Sequence, residues 1–161
     1  MRKMLVFAGL LAAPADTAVD IPPPLKPLAL KQDPRPIQLR QFFEAYDCPL
    51  KGYADDFVME ADENELDWRL LPSISFVEST GGKYSMNNNV FGWDSCNTKF
   101  RSVRSGIHEV ATSLGRSSLY RDKRLDEVLK IYNSRPGYGA KVKAVMSIMG
   151  PPYFQGIGSM N

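Results

Sequence analysis

The sequence predicts an all-α domain with at most a small irregular or β lobe near residues 83–100. Apolar residues recur every three or four positions in several separate segments, which is the spacing of helices that bury one face. No segment shows the alternation of apolar and polar residues that is typical of a half-buried strand. With 161 residues, 43% of them hydrophobic and 24% charged, the chain is long enough for one domain with a core.

The first 36 residues are predicted to lie outside this domain. The basic start "MRK", the apolar stretch "MLVFAGLLAA" and the small residues Ala13 and Ala15 form the pattern of a secretory signal peptide over residues 1–15. The apolar stretch is too short to span a bilayer, and a buried or frayed N-terminal helix is the alternative interpretation. Residues 16–36 are rich in proline and predict an extended linker. We therefore expect a secreted or periplasmic protein of the cell envelope.

The predicted domain covers residues 37–150 and begins with two helical segments. In "IQLRQFFEAY" one apolar stripe is formed by Leu39, Phe42, Phe43 and Tyr46. In "YADDFVMEADENE" two apolar side chains turn inward, while the irregular spacing of the acidic residues favours a solvated helix end over a metal site. Asp67 is expected to be the N-cap of a third helix that starts at Trp68.

The third helix carries a glutamate close to its end. Its apolar positions repeat at helical intervals, namely Leu70, Leu71, Ile74 and Val77. Gly81 and Gly82 follow, and glycine readily adopts the left-handed backbone that ends a helix. Glu78 is therefore predicted to lie in the last turn, beside buried side chains.

The remainder of the domain is predicted to be a turn-rich lobe followed by three helices. "KYSMNNNVFGWDSCNTKF" is rich in turn residues and gives the lobe. "SVRSGIHEVATSLGRS" and "RLDEVLKIY" are amphipathic. "YGAKVKAVMSIMG" is expected to bury Val142, Val145 and Ile148 and to stop at Gly150. Residues 151–161 are expected to form a C-terminal tail.

Charge and cysteine content narrow the function classes. The net charge of +2, without a block of Lys and Arg, argues against a nucleic-acid partner. The chain does not group enough ligands for a metal site, and the single histidine, His108, is expected to be structural. Only two cysteines are present, Cys48 and Cys96, so one intramolecular disulfide is possible, and the sequence leaves open whether they pair.

Three motifs occur in a definite order: "FVESTGGK", "NNNVFGW" and "IYNSRPGYGAKV". Together, over residues 50–149, they resemble the glucosaminidase-type peptidoglycan hydrolases of the lysozyme-like superfamily. Such proteins typically carry an "ES" glutamate at a helix end, then an N-x-F-G turn, then a segment of the form Y-x-x-x-P-x-Y. The resemblance implies that Glu78 is the catalytic acid and that Tyr132 supports the reaction. It also implies a peptidoglycan or related N-acetylglucosamine-containing glycan as partner, with no cofactor, and we expect a monomer.

The position of Glu78 agrees with that role on physical grounds. A glycosidic oxygen leaves readily only when it is protonated, so the enzyme needs a carboxyl group that still holds its proton near neutral pH. Apolar neighbours and the negative end of a helix dipole both favour the protonated form of a carboxyl group at a helix C-terminus. A structural hydrogen bond or simple surface exposure is the alternative role for such a glutamate.

Besides Tyr132, five residues are candidates for binding substrate, namely Asn89, Phe91, Trp93, Asp94 and Tyr138. Flat apolar faces for pyranose rings could come from Trp93, Phe91, Tyr132 and Tyr138. The alternative role of these rings is core packing, which is the better interpretation for Phe91. Asn89 could bind the N-acetyl amide or hydroxyl groups, with a tight turn as the alternative.

The sequence departs from the family at the second carboxylate. Glycosidases usually use two, yet residues 79–93 contain neither Asp nor Glu, and Asp94 is the nearest candidate. Arg135 stands where the family's tyrosine segment often carries an acid. Three interpretations remain open. Asp94 orients a water; or Glu78 alone acts as acid and base while the substrate's own 6-hydroxyl or acetamido group closes the intermediate, as in lytic transglycosylases; or the domain binds glycan without cutting it.

Overall fold

The computed structural model describes residues 33–151, and this part of the chain is mainly helical. Within it there is no strand, which confirms the all-α prediction. The six helices are α1 (Pro34–Ala45), α2 (Ala54–Glu63), α3 (Leu70–Ser79), α4 (Val103–Arg116), α5 (Leu125–Tyr132) and α6 (Tyr138–Ile148). Two short 3-10 helices, Pro49–Tyr53 and Trp93–Cys96, lie in the connections. The predicted signal peptide, the linker up to residue 32 and the tail from residue 152 lie outside the described residues.

Helix α1 begins at Pro34, earlier than the predicted domain start at residue 37. Proline is well accepted in a first turn because its missing N–H would have no partner there in any case. The Asp33 side chain caps the helix by accepting a hydrogen bond of 2.9 Å from the backbone N–H of Arg35. The buried Arg35 guanidinium also binds Asp33 and Asp62 at 2.6–2.7 Å, which fastens the start of α1 to the end of α2.

The core is formed where the helices pack on one another. Helix α2 packs against α1 and α4, whereas α3 packs against α6 and also touches α2. The largest fully buried side chains include Trp68, Phe43, Phe57, Phe91 and Leu39. Helix α3 is buried along most of its length, including Ser73 and Ser75. Because its neighbours surround it, α3 gives the residues of its last turn a fixed position.

The ends of α3 differ slightly from the prediction. The helix starts at Leu70, two residues after the predicted start, because Asp67 caps the preceding turn: its carboxylate accepts from Arg69 N–H at 3.0 Å and its carbonyl accepts from Leu70 N–H at 2.8 Å. At the other end, Thr80 already adopts the left-handed backbone, with φ 52°, before the two glycines. Glu78 nevertheless lies in the last turn, as predicted.

The face that the last helix buries agrees with the prediction at two positions and differs at the third. Val142 and Val145 are buried as expected, but Ile148 is 60% exposed. Met146 and Met149 are buried in its place, because the apolar face of α6 continues from Val142 at intervals of three and four residues. The sequence pattern alone allowed both faces, and the packing partner selected one.

The lobe at residues 83–100 is irregular, as predicted. It holds a single isolated bridge between Met86 and Asn89, while Asn87 and Asn88 adopt left-handed backbone with φ 56° and 57°. Within residues 33–151, no helix combines the length and the apolar character that crossing a bilayer requires.

Candidate active site

A cleft of about 930 Å³ is lined by three parts of the chain and by one further residue, Tyr120. Glu78 comes from the end of α3, residues 92–96 and Thr98 come from the lobe, and residues 131–135 come from the end of α5 and the connection to α6. Tyr120 completes the lining. The volume lies within the usual range of ligand sites. All three motifs that were singled out in the sequence therefore contribute to one cavity.

Glu78 is half-buried, and its carboxylate lies against the backbone of Gly92. A Cβ atom placed on Gly92 would lie 2.7 Å from Glu78 Oε2 and 3.2 Å from its Cδ, closer than side chains normally approach. Gly92 also has a left-handed backbone, with φ 60°, which glycine adopts without strain. Gly92 thus has two independent reasons to be glycine. Sequence reasoning gave it no role, although the N-x-F-G motif contains it.

Ser79, the residue after Glu78, fastens the helix end to the lobe. Its hydroxyl lies 2.8 Å from the Val90 carbonyl and 2.9 Å from the Ser75 carbonyl, both of which can accept its proton. The same oxygen accepts a hydrogen bond of 2.9 Å from Gly82 N–H. Because Ser79 is buried and fully engaged, the wall that carries Glu78 and the wall that carries Gly92 are held together.

The Tyr138 hydroxyl faces Glu78 from the protein interior. Tyr138 is 6% exposed, and its hydroxyl has no hydrogen-bond partner within bonding distance among the described residues. Burial, followed by the negative charge of Glu78, raises the pKa of Tyr138. The hydroxyl therefore keeps its proton and lies near the carboxylate. The ring was a candidate for sugar binding, but the structure places it outside the cleft lining, stacked on Tyr132.

Tyr132 forms part of the cleft wall and positions the lobe. Its hydroxyl donates a hydrogen bond of 2.6 Å to the backbone carbonyl of Phe91, next to Gly92. Burial is the main reason that the pKa of Tyr132 is raised, so this proton stays on the hydroxyl. The ring stacks on Tyr138 with centroids 6.1 Å apart and meets the Trp93 ring at 5.6 Å. Tyr132 thereby holds the Gly92 backbone in its place beside Glu78.

Trp93 and Asp94, both predicted to contact substrate, belong to the lobe and line the cleft. Trp93 is half-buried and lines the cleft. Asp94 is exposed, lines the same cleft and has a left-handed backbone, with φ 51°. Among the lining residues, only Glu78 and Asp94 carry a carboxylate. Asp94 is therefore the one candidate in this cleft for a second acid.

Asn89 and Phe91 have structural positions. The Asn89 side chain is buried: its amide nitrogen donates to the carbonyls of Trp93 and Thr98, and its oxygen accepts from Trp93 N–H at 2.9 Å. With these bonds made, Asn89 shapes the lobe and does not line the cleft. Phe91 is 0% exposed and packs edge-on against Phe57 in the core. Asn89 thus forms part of a tight turn and Phe91 packs in the core, which are the alternative roles that the sequence allowed for them.

The two cysteines are free thiols, so the disulfide considered from the sequence is not formed. Cys48 is buried beneath the turn after α3, with its sulfur 3.6 Å from the Thr80 carbonyl, and burial raises the pKa of its thiol. Cys96 is exposed and lines the cleft. One sulfur points into the interior and the other lies at the surface, and this difference in location keeps them apart.

His108 is structural, as expected: it is exposed on α4 and binds the buried Glu60 carboxylate at 3.0 Å. Across the described part of the chain, no group of three or more His, Cys, Asp or Glu side chains is arranged to hold a metal ion. Comparison of the chain with protein-family models and with curated proteins found no match. The functional assignment therefore depends on the chemistry of the cleft.

Proposed function

We propose that this protein cleaves the β-1,4 glycan backbone of peptidoglycan, with Glu78 as the general acid. The observation that carries the proposal is the placement of one half-buried carboxylate at the wall of an open cleft. Gly92 and Tyr138 surround the carboxylate on the protein side. A glycosidic oxygen that enters the cleft can therefore meet a carboxyl group at a defined position on the cleft wall, which is what general acid catalysis requires.

The first half of the reaction breaks the glycosidic bond. The Glu78 carboxyl donates its proton to the glycosidic oxygen, and the C1–O bond breaks with its electron pair moving to that oxygen. The released strand ends in a hydroxyl group, and positive charge develops at C1 and the ring oxygen. Glu78, now a carboxylate, lies beside this charge.

The second half returns the proton to Glu78. In hydrolysis a water attacks C1, the carboxylate takes one of its protons, and the product has a reducing end. Asp94, which lines the same cleft, is the candidate for orienting that water. In the transglycosylase route the substrate's own 6-hydroxyl attacks C1, its proton goes to Glu78, and the product is an anhydro sugar formed without water. Apart from Glu78, the cleft has only one lining carboxylate, Asp94, and it is exposed to solvent. This supports the second route, because that route needs no second carboxylate.

The aromatic wall suits a sugar polymer. The rings of Tyr132 and Trp93 are neighbours in the cleft and are partly exposed to it. Pyranose rings have one face covered by C–H groups, and such faces pack well on aromatic rings. Tyr138 supports Tyr132 from behind by stacking, so the wall is backed by the core.

The test is the turnover of purified peptidoglycan by the wild type and by Glu78→Gln. The substitution keeps the shape of the side chain and removes the acidic proton, so we expect the rate to fall by about 10²- to 10⁴-fold. Glu109→Gln, an exposed glutamate on α4 outside the cleft, is the matched control and should leave the rate unchanged. Wild-type turnover by Glu78→Gln would contradict the proposal.

Two further measurements separate the alternatives. Analysis of the fragments distinguishes the routes, because an anhydro end marks transglycosylation and a reducing end marks hydrolysis. Asp94→Asn should lower the rate only in the hydrolytic case. Binding of peptidoglycan without cleavage by the wild type or any variant would instead indicate a glycan-binding module.

A further inference from the structure

We propose that Arg135 makes the cleft selective for anionic glycans, by binding a carboxylate that the glycan strand carries. This inference rests on the proposed function and names the substrate class of the same site. Three lining residues carry a charged side chain: Glu78, Asp94 and Arg135. Arg135 is the cation among them.

The Arg135 guanidinium has no partner within the described part of the protein. Only its backbone is engaged: Arg135 N–H donates to the Asn133 side chain at 3.1 Å, and no ion pair or side-chain hydrogen bond is formed. Apart from Arg101 and Arg135, every described arginine binds an acidic side chain or a carbonyl oxygen. Of these two, only Arg135 lines the cleft. Its side chain is therefore available to a ligand.

The backbone that carries Arg135 is fixed although its side chain is free. The Asn133 side chain closes the turn on one side, and on the other the Arg135 carbonyl accepts from Tyr138 N–H at 3.1 Å. Tyr138 begins α6 and is packed in the core. The guanidinium thus extends from a defined point on the cleft edge, which limits the entropy lost when it binds.

The charge balance of the cleft explains why an anionic ligand needs this residue. Glu78 and Asp94 both repel an anionic strand when ionised, whereas a neutral polymer of N-acetylglucosamine has no such difficulty. In peptidoglycan, alternate sugars carry a lactyl group that ends in a carboxylate or continues into a peptide with carboxylates of its own. The planar fork of a guanidinium binds a carboxylate through two parallel hydrogen bonds. Arg135 offsets this repulsion and thereby raises the affinity of the cleft for strands that carry carboxylates.

The test compares wild type, Arg135→Gln and Arg135→Lys on three substrates: peptidoglycan, the same material with its carboxyl groups amidated, and chitin oligomers. Arg135→Gln should lower kcat/KM on untreated peptidoglycan by about fivefold, the effect of an exposed charge pair, and leave kcat/KM on the two substrates without carboxylates unchanged. Raised salt should reduce the difference. Arg135→Lys should recover part of it. Lys141→Gln removes an exposed cation of α6 outside the cleft and should change nothing.

Removal of the peptides from the strand distinguishes the two sources of the carboxylate. Because removal of a peptide frees the lactyl carboxylate, an effect of Arg135→Gln on peptide-free strands shows that the guanidinium binds lactyl carboxylates, and its absence there shows that it binds only peptide carboxylates. An equal loss on native and amidated material, or no loss on either, would overturn the proposal.

A binding assay tests the role of Arg135 independently of whether the protein cleaves peptidoglycan. Glu78→Gln and the double variant Glu78→Gln/Arg135→Gln can be compared by sedimentation with insoluble peptidoglycan and with its amidated form. We expect weaker binding by the double variant on untreated peptidoglycan alone. This difference is measurable even if the wild type shows no turnover, whereas equal binding of both variants to both materials would refute the role of Arg135.

Discussion

Substitution of Gly92 by alanine tests the contact that positions Glu78. The new Cβ would lie 2.7 Å from Glu78 Oε2, whereas ordinary van der Waals contact begins at 3.4 Å, so the carboxylate must move by about 0.7 Å. The carboxylate is the free end of a flexible side chain and can move at low cost. Its displacement should therefore affect the reaction more than the fold.

The two effects have different expected magnitudes. Alanine with a left-handed backbone is less stable by about 1–2 kcal/mol, which should appear in the free energy of unfolding. Catalytic groups act within about 0.5 Å of their productive position, and a misplacement of about 1 Å costs about 100-fold in rate. For a shift of this size we expect the rate on peptidoglycan to fall by about 10- to 100-fold.

Gly137 provides the matched control. Its backbone is also left-handed, with φ 80°, but a Cβ atom there would meet nothing within 4 Å. Gly137→Ala should therefore have about the same loss of stability as Gly92→Ala without the loss of activity. The assay measures urea unfolding and peptidoglycan turnover for both variants, at a temperature where both are folded. Equal activity of Gly92→Ala and Gly137→Ala would show that the contact between Gly92 and Glu78 does not position the acid.

Two further predictions concern thiols and pH. In the native protein one thiol, Cys96, should react rapidly with a maleimide, whereas Cys48 should react only after unfolding, because it is buried and its pKa is raised; two equally fast thiols would contradict the structure. Arg35 lowers the pKa of Asp33 below 3.8, so this interaction stabilises the fold above about pH 4 and is lost as pH falls further. Asp33→Asn should therefore be less stable than wild type at pH 7, with a difference that shrinks below pH 4 in urea titrations.

The sequence predicts the helices and the position of Glu78 because both depend on short-range patterns. Apolar residues at intervals of three and four, followed by glycines, specify where α3 buries its face and where it ends. The exact ends depend on single caps. The turn formed by Asp67 delays the start of α3, and the cap formed by Asp33 allows α1 to begin at Pro34.

The roles of individual lobe residues could not be predicted from short-range patterns. An asparagine and a phenylalanine are as typical of a sugar-binding site as of a folded turn. Only the contacts of Asn89 and Phe91 with distant residues show which of the two roles each one has. Asn89 binds the Thr98 carbonyl, and Phe91 packs against Phe57. Burial of Ile148 failed as a prediction for the same reason, since α6 could turn either face toward α3.

The site depends on contacts between residues that are distant in the sequence, and the spacing of residue types along the chain does not predict such contacts. The close approach of Gly92 to Glu78 and the bond between the Tyr132 hydroxyl and the Phe91 carbonyl join residues far apart in the chain. The absence of a pairing between Cys48 and Cys96 has the same origin, since cysteine spacing does not report the location of the sulfurs.

One wall of the cleft is supported by the core, whereas the rim of the cleft is exposed and has no such support. Glu78 and Tyr138 belong to two helices that pack on each other, α3 and α6, and Tyr138 is part of the core. Asp94 and Arg135 are exposed, and neither side chain forms a hydrogen bond or an ion pair within the described residues. Substitutions at this rim can therefore accumulate one at a time without disturbing the packing of the helices, whereas substitutions of the stacked rings of Tyr132 and Tyr138 disturb the core.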